Sequence, residues 1–340
     1  MKKQVIYIVL LCGFVAVMAF RNEESTDAYT WPKPYYTAVQ GKNAAAVVDL
    51  GRALFYDPIL SSDSSISCAS CHTVYNAFAH VDHALSHGIQ QRIGRRNAPA
   101  LMNVAWSKHL MWDGAIQSLE MQALAPIQDS NEMNETLPHV LEKLNRQSLY
   151  QRLSKQAWGR SRITSEIILQ SMAAFVASLV SHESKYDSVM RHQAVFTPQE
   201  ENGYLLFRSH CAACHTEPLF TNGEFRNNGL VPDSLLDDIG RQRITHIPSD
   251  AYLFKVPSLR NVEFSFPYMH DGRFKKLKQV IDHYVQIDTA QVHLSTALRK
   301  PITLTVNEKV DLIAFLLSLS DRQFTFNPNL AYPKKILGTP

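Results

Sequence analysis

Apolar residues recur at helical spacing in several long stretches of this chain. The stretches AAAVVDLGRALFYD (44–57) and PQEENGYLLFRSHC (198–211) place them as the buried stripe of an α-helix does. The same spacing predicts a long amphipathic helix over TSEIILQSMAAFVASLVSHESKYD (164–187) and another over NEKVDLIAFLLSLSD (307–321). The pattern therefore predicts a mainly α-helical protein.

The predicted helices occur in the same order in both halves of the chain. In each half one helix leads into a Cys-x-x-Cys-His block and a later helix closes the half, which indicates an internal duplication. We predict a leader at 1–20, an extended linker at 21–40, helical domains at 41–192 and 193–328, and a C-terminal tail at 329–340.

The composition is that of an ordinary globular protein, with 45% apolar and 19% charged residues in a chain of 340. This length is sufficient for about two domains with separate cores. The net charge of +3 is small and no basic run concentrates it. We therefore expect no nucleic-acid partner.

The N-terminus has the pattern of a secretory signal. Lys2 and Lys3 precede an apolar run at 5–20, and the residues around Ala19 are small enough for signal cleavage. We predict export, with a retained membrane anchor or a lipid anchor at Cys12 as the alternatives.

The four cysteines beyond the leader all lie in two Cys-x-x-Cys-His blocks, formed by Cys68, Cys71 and His72 and by Cys211, Cys214 and His215. Chance would give about 0.003 such matches in a chain of this composition. The pattern is that of c-type haem attachment, in which two thiols bond the former vinyl groups and the histidine ligates the iron. A disulfide within each pair or a zinc site are the alternatives, but the histidine that follows each pair favours haem.

The blocks and their surroundings resemble the bacterial di-haem cytochrome c peroxidases and their MauG-type relatives. The resemblance covers essentially the whole chain after the leader and is carried by LFYDPILSSDSSISCASCH, RRNAPALMNVAW, MWDGAIQSLEMQALAPIQDSNEM, HCAACHTEPLFTNGEFRNNGL and FKVPSLRNVEFSFPYMHDGRF. It implies two cytochrome c-like helical domains, each with one covalently attached haem c. Domain 41–192 would hold the peroxidatic haem and domain 193–328 the electron-transfer haem.

The resemblance also implies roles for residues around the first haem. The tryptophan of the W-D-G motif is Trp112, which lets the two haems communicate, and the acid/base glutamate falls on Glu132. His87 in LSHGI matches the histidine that caps the first iron at rest and leaves it on activation. His80 and His83 do not match that position and are expected to be exposed or to lie behind the ligands. Without the motifs, Trp112 would be interpreted as a core residue and Glu132 as a solvated loop residue.

A calcium ion commonly lies between the haems in the family. Its ligands correspond to Asn97 in RRNAP and to the backbone carbonyls of Ser265 and Pro267 in SFPYMHDG. Amide and carbonyl oxygens suit a hard cation, so we expect calcium to fix the geometry between the haems.

The sixth ligand of the second haem departs from the peroxidase pattern. Counted from His270 of the HDG motif, the position of the peroxidases' axial methionine falls on Tyr284, a residue type used by MauG-like enzymes. Tyr284 also lies about 20° from Leu277 on the apolar face of the helix LKQVIDHY, whereas His283 lies roughly 120° away. Met269 is the alternative ligand, and a hydrogen-bonded core tyrosine is the alternative role for Tyr284.

Three functions follow, in order of preference. The first is a periplasmic cytochrome-c peroxidase that reduces hydrogen peroxide to water with electrons from an external donor, such as a small cytochrome c or a cupredoxin. The second is a MauG-like oxidase that uses peroxide to oxidise a partner protein or a small substrate. His87 favours the first and Tyr284 the second. The third is a di-haem electron-transfer protein without catalysis. A homodimer is an arrangement that the resemblance allows.

Overall fold

The computed structural model describes residues 29–37, 39, 42–80 and 82–339. The predicted leader at 1–20 lies outside these residues. In the described part the α-helices are α1 Ala44–Tyr56, α2 Cys68–Cys71, α3 Leu119–Gln122, α4 Leu124–Gln128, α5 Leu137–Asn145, α6 Ser148–Trp158, α7 Ser165–Ala177, α8 Lys185–Met190, α9 Pro198–His210, α10 Gln242–Thr245, α11 Leu277–Gln286, α12 Val306–Leu317, α13 Arg322–Thr325 and α14 Lys334–Leu337. Single 3₁₀ turns occur at Pro58–Leu60, Val74–Asn76, Ile89–Gln91, Val104–Trp106, Pro248–Asp250 and Thr296–Leu298. The prediction of a mainly helical protein is confirmed.

The first half is built around a crossing of α1 and α7. Apolar spacing predicted both helices, and both are present. Gly51 of α1 lies where they cross, and a Cβ at this position would overlap the carbonyl oxygen of Ser171. The close approach buries Leu54 and Ile168 in a core that α5 and α6 complete.

The second half repeats this crossing with α9 and α12. Each helix begins with a capping box, in which the N-cap residue is Thr197 for α9 and Thr305 for α12. A Cβ on Gly203 would overlap the carbonyl oxygen of Asp311, so glycine again sets the distance between the helices. A cluster of aromatic rings with centroids 4.8–6.3 Å apart fills this half, formed by Tyr186, Tyr204, Phe207, Phe220 and Phe315.

The long helix predicted over 164–187 is wrong in its second part, because α7 ends and a separate helix, α8, begins within this range. Between them the backbone N–H of Ser181 donates to Asn103 Oδ1 (2.8 Å) and that of Glu183 donates to Asp321 Oδ2 (3.0 Å). These bonds to distant side chains replace the i→i−4 bonds that would have continued the helix.

A small antiparallel sheet lies in the second half. Strands β1 (Phe225–Arg226) and β2 (Phe254–Lys255) pair with Phe225 opposite Lys255. The backbone N–H of Lys255 donates to the carbonyl oxygen of Trp112 (2.7 Å), so the W-D-G loop of the first half adjoins this sheet.

Within the residues that the structure describes, no helix has both the length and the apolar character needed to cross a bilayer.

Candidate haem sites and the segment between them

Helix α2 presents the first Cys-x-x-Cys-His block. Cys68 and Cys71 begin and end the helix, and both thiols are free. The next residue, His72, has its Nδ1 2.8 Å from the carbonyl oxygen of Phe78. A carbonyl only accepts, so Nδ1 carries the proton and Nε2 is left to bind a metal. Burial lowers the pKa of His72 to about 4, which keeps the ring in the neutral form that ligation requires.

The second block follows the end of α9 and is held in the same way. Nδ1 of His215 lies 3.1 Å from the carbonyl oxygens of both Phe220 and Pro257, and burial lowers its pKa. Phe78 and Phe220 are both fully buried, and both have left-handed backbone conformations, with φ of 59° and 55°. The sequence analysis missed these two phenylalanines, although each follows its block within a few residues.

A cavity of about 900 Å³ adjoins the second block. Its lining includes Cys211, Cys214 and His215, together with Tyr284 and Met269. This volume lies in the roughly 300–1,000 Å³ range of small-molecule and cofactor sites. Free thiols, a neutral imidazole and an apolar wall fit a covalently attached haem c.

Both candidate sixth ligands share one polar neighbour in this cavity. Burial raises the pKa of Tyr284 to about 12, and a hydrogen bond with the Asn228 side chain opposes the rise. Asn228 Nδ2 also lies 3.3 Å from Met269 Sδ. His283 bonds the carbonyl oxygen of Asn228 through Nε2 instead (3.0 Å). Tyr284 and Met269 can therefore both reach a group in the cavity.

The loop that carries His87 folds against the segment that carries Glu132. Ser86 Oγ donates to Glu132 Oε1 (3.3 Å), and the N–H of Ile89 donates to the Glu132 carbonyl oxygen (2.8 Å). On its other side the loop meets the first block, because the Cys71 thiol lies 3.5 Å from the His87 carbonyl oxygen. The fold thus brings a histidine and a carboxylate, distant in sequence, to the first block.

The environment of Glu132 favours its protonated form. Burial is the largest cause of its raised pKa, and the nearby charge of Asp129 adds to it. The hydrogen bond from Ser86 acts in the opposite direction. A carboxyl group with a raised pKa holds a proton more readily than an exposed glutamate, which suits a group that must both accept and return one.

Three histidines of the same loop cluster together. The ring centroids of His83 and His87 are 4.1 Å apart, and His80 lies 5.7 and 6.3 Å from them. The sequence predicted that His80 and His83 are exposed or lie behind the ligands. His83 is exposed, whereas His80 is only 5% exposed. Within the described residues, His80 Nδ1 is buried without a hydrogen bond.

Asn97 ties together the segments that separate the two blocks. Its carbonyl oxygen accepts from Trp112 Nε1 (2.9 Å), its N–H donates to the His270 carbonyl oxygen (2.7 Å), and its Nδ2 donates to Ala84 (2.9 Å). Asn97, Ser265 and Pro267, the three residues expected at a calcium ion, all line the large cavity.

An ion-pair network that the sequence analysis missed joins the two halves. Arg96 donates from Nη1 to Asp113 (2.6 Å) and from Nε and Nη2 to Asp238 (2.6 and 2.8 Å). Both carboxylates are buried. Arg96 lies in the RRNAP motif and Asp113 in the MWDG motif, but nothing in the sequence around Asp238 indicates that it pairs with Arg96.

A second buried pair supports the loop that orients His215. Arg260 and Asp187 are fully buried and joined by two bonds of 2.7 and 2.9 Å. Arg260 Nε also donates to the carbonyl oxygen of Pro218 (2.8 Å), two residues before Phe220. The Phe220 carbonyl that accepts from His215 is thereby held in place.

Comparison with known proteins gives consistent relatives. A family model described as di-haem cytochrome c peroxidase matches residues 45–195. The methylamine utilization protein MauG of Methylorubrum extorquens is 34% identical over 284 residues, which is 80% of this chain and 77% of that protein. Cytochrome c551 peroxidase of Nitrosomonas europaea is 30% identical over 294 residues, 85% of this chain and 84% of that protein.

A solved structure of a MauG-like protein associated with microbial copper homeostasis has the same fold. It is 28% identical, has a TM-score of 0.79, and the match covers 90% of this chain and 98% of that chain. The family implies two haems c, and the two blocks described above offer two attachment sites. From the sequence similarity, the fold and the paired blocks we conclude that the chain belongs to the di-haem cytochrome c peroxidase family.

Proposed function

We propose that this protein is a di-haem peroxidase that reduces hydrogen peroxide to water, taking up two protons and two electrons for each peroxide. The observation that supports it most is the contact of the His87 loop with both Cys71 and Glu132. Cys68, Cys71 and His72 would hold the first haem, and Cys211, Cys214 and His215 the second. The haems, when bound, supply the redox chemistry that passes electrons to peroxide.

We assign Glu132 the proton transfers. Cleavage of the O–O bond needs a group that takes a proton from one peroxide oxygen and returns it to the other. The raised pKa of Glu132 suits a carboxyl group that must do both. Ser86 orients Oε1, and its hydrogen bond favours the ionised form against the effect of burial.

We assign His87 the control of access to the first site. Its Nδ1 lies 3.0 Å from the carbonyl oxygen of Leu85, which leaves Nε2 free to ligate. His87 lies on a loop with the exposed residues Asp82 and His83 near its start. Such a loop can swing its imidazole away when the site opens.

Trp112 is assigned the link between the sites. Its indole is held by the Asn97 carbonyl oxygen, and its own carbonyl oxygen is held by Lys255, so the ring has a fixed position. Calcium would be held by Asn97 Oδ1 and the carbonyl oxygens of Ser265 and Pro267, three residues that line the large cavity.

The proposal includes export to the periplasm and an electron-donor protein, either a small cytochrome c or a cupredoxin. The leader pattern at 1–20 and the haem-attachment pattern support export. A homodimer has no support beyond the family resemblance.

The second candidate is a MauG-like oxidase that uses peroxide to oxidise a partner protein or a small substrate. Tyr284 favours it, because this half-buried phenol lies near Cys211 and Cys214 in the large cavity. An anionic oxygen ligand stabilises higher oxidation states and lowers the reduction potential. Such an iron would be a poor acceptor from ordinary donor cytochromes.

A redox-poised electron paramagnetic resonance series on the holoprotein tests the two candidates. It compares wild type, Tyr284→Phe and Met269→Leu, before and after peroxide. For the peroxidase we expect half-reduction to convert the first site to high spin and to start rapid peroxide turnover with a reduced cytochrome c. Peroxide that instead removes the ferric signals of the fully oxidised protein for a long time, in a manner that Tyr284→Phe abolishes, would establish the oxidase. If both irons keep six ligands in every redox state, the protein is an electron-transfer protein without catalysis.

A further inference from the structure

The large cavity has an excess of positive charge in its wall. Five Lys or Arg side chains and two carboxylates line it: Lys33, Lys108, Arg226, Arg241 and Lys255 against Glu224 and Asp250. The two carboxylates are already paired, Glu224 with Arg226 and Asp250 with Arg241 (3.7 Å). Lys33, Lys108 and Arg226 are exposed, so Lys255 and Arg241 are the cations of this set that are partly shielded from water.

Lys255 is the most isolated of these cations. Among the described residues, its ammonium group has no hydrogen bond or ion pair, although the residue is half-buried. Burial alone lowers its pKa to about 8. Partial burial of an ammonium group without a counter-ion is unfavourable, and a bound anion would offset it.

His109 lies beside Lys255 with an unused nitrogen. Within the described part of the chain, His109 Nδ1 is buried and has no hydrogen bond. Burial lowers the pKa of His109, and the charges of Arg241, Lys108 and Lys255 lower it further, which shows that these groups face one another. One imidazole nitrogen and several cations thus converge on the same part of the wall.

The backbone holds this part of the wall beside the W-D-G loop. The N–H of Lys255 donates to the Trp112 carbonyl oxygen (2.7 Å), and Arg241 Nη1 donates to the Asp113 carbonyl oxygen (3.1 Å). The Arg241 guanidinium lies 3.9 Å from the centroid of the Phe225 ring, and His109 packs edge-on against the same ring at 5.5 Å. The Arg241 guanidinium and the backbone of Lys255 are therefore held in place before any ligand arrives, next to an aromatic surface.

We propose that Lys255, His109 and Arg241 form a carboxylate-binding site in the cavity wall beside Trp112. The ammonium and guanidinium groups supply charge, and His109 supplies a directional hydrogen bond. Two carboxylates have the required chemistry: a propionate of a haem attached in this cavity, and the carboxylate of an aromatic substrate whose ring packs on Phe225.

The test uses the holoprotein in four forms: wild type, Lys255→Met, His109→Gln and the control Lys155→Met, which removes an exposed lysine from α6. Resonance Raman spectra report the propionate bending bands, which respond to hydrogen bonding. Titration calorimetry measures the binding of benzoate, the simplest aromatic carboxylate. Two independent wall variants are used so that a folding defect in one does not decide the result.

If a propionate occupies the site, its bending band shifts in Lys255→Met and His109→Gln but not in Lys155→Met. If a substrate carboxylate occupies it, wild type binds benzoate and both wall variants weaken that binding at least about tenfold, the loss expected for a charged hydrogen bond. Unchanged bending bands together with no benzoate binding in wild type would overturn the proposal. None of these readouts requires peroxide turnover, so the result is independent of the proposed peroxidase activity.

Discussion

Glu132 is placed between two side chains that act on its pKa in opposite directions. Asp129 adds to the rise that burial causes, and Ser86 opposes it through a hydrogen bond to Oε1. Because the proton acceptor must be ionised, turnover should fall as pH falls through the pKa of Glu132. That pKa lies above the ordinary value of about 4.3 for glutamate.

Replacement of these neighbours should move the acid limb of the pH profile in opposite directions. Ser86→Ala removes the bond that favours the carboxylate, so the limb should move to higher pH. Asp129→Asn removes a like charge, so the limb should move to lower pH. The measurement is kcat/KM for peroxide between about pH 4 and 8, a range that spans the ordinary pKa values of carboxyl and imidazole groups.

Glu132→Gln completes this series. It should lower turnover by about 10²- to 10⁴-fold, the usual contribution of a general acid/base, and should abolish the acid limb. A limb that stays in Glu132→Gln, or that moves the same way in both neighbour variants, would assign the proton transfers to another group.

At the scale of elements, the two helix crossings depend on single glycines. In Gly203→Ala the new methyl group would overlap the Asp311 carbonyl oxygen of α12. Since this is backbone rather than a flexible side chain, the helices must separate. We expect a loss of about 1–3 kcal/mol in the free energy of unfolding.

Asn202→Ala is the matched control, one residue away on the exposed face of α9. Its effect should stay within about 0.5 kcal/mol, as is usual for surface substitutions. Urea unfolding of both holoproteins, followed by far-UV circular dichroism, measures the difference. Equal stability of the two variants would show that α9 and α12 can adjust their separation freely.

At the scale of the whole molecule, Arg96 connects the halves through Asp113 and Asp238. In Arg96→Met both buried carboxylates lose their partner, and a broken buried pair typically costs about 3–5 kcal/mol. The same change should loosen the W-D-G loop that carries Trp112, so electron exchange between the haems should slow as well.

Arg146→Met removes an arginine from an exposed pair with Glu142 and serves as the control for Arg96→Met. Such exposed pairs contribute less than about 1 kcal/mol. Chemical unfolding gives the stability, and flash reduction of one haem gives the rate of electron exchange. A loss of stability without slower exchange would restrict Arg96 to a structural role.

Local sequence patterns determined much of this protein. The two Cys-x-x-Cys-His blocks need only short-range spacing, and the α1, α9 and α12 helices need only apolar periodicity, to which α9 and α12 add a capping box. The same periodicity predicted a helix that continued beyond the end of α7. In the structure the backbone N–H groups of the following turn donate instead to the side chains of Asn103 and Asp321. No local pattern contains these distant partners.

Only the tertiary structure decided how the remaining groups meet. The contact between Ser86 and Glu132, the bridge from Arg96 to Asp238, and the grouping of His109 with Lys255 all join residues far apart in the chain. Their pKa values and ion pairs depend on burial, and burial exists only once the halves have packed together. The sequence by itself therefore determined which haem-binding elements are present. Folding decided which charges and protons lie beside them, because electrostatic interactions depend on distance in space and on exclusion of water.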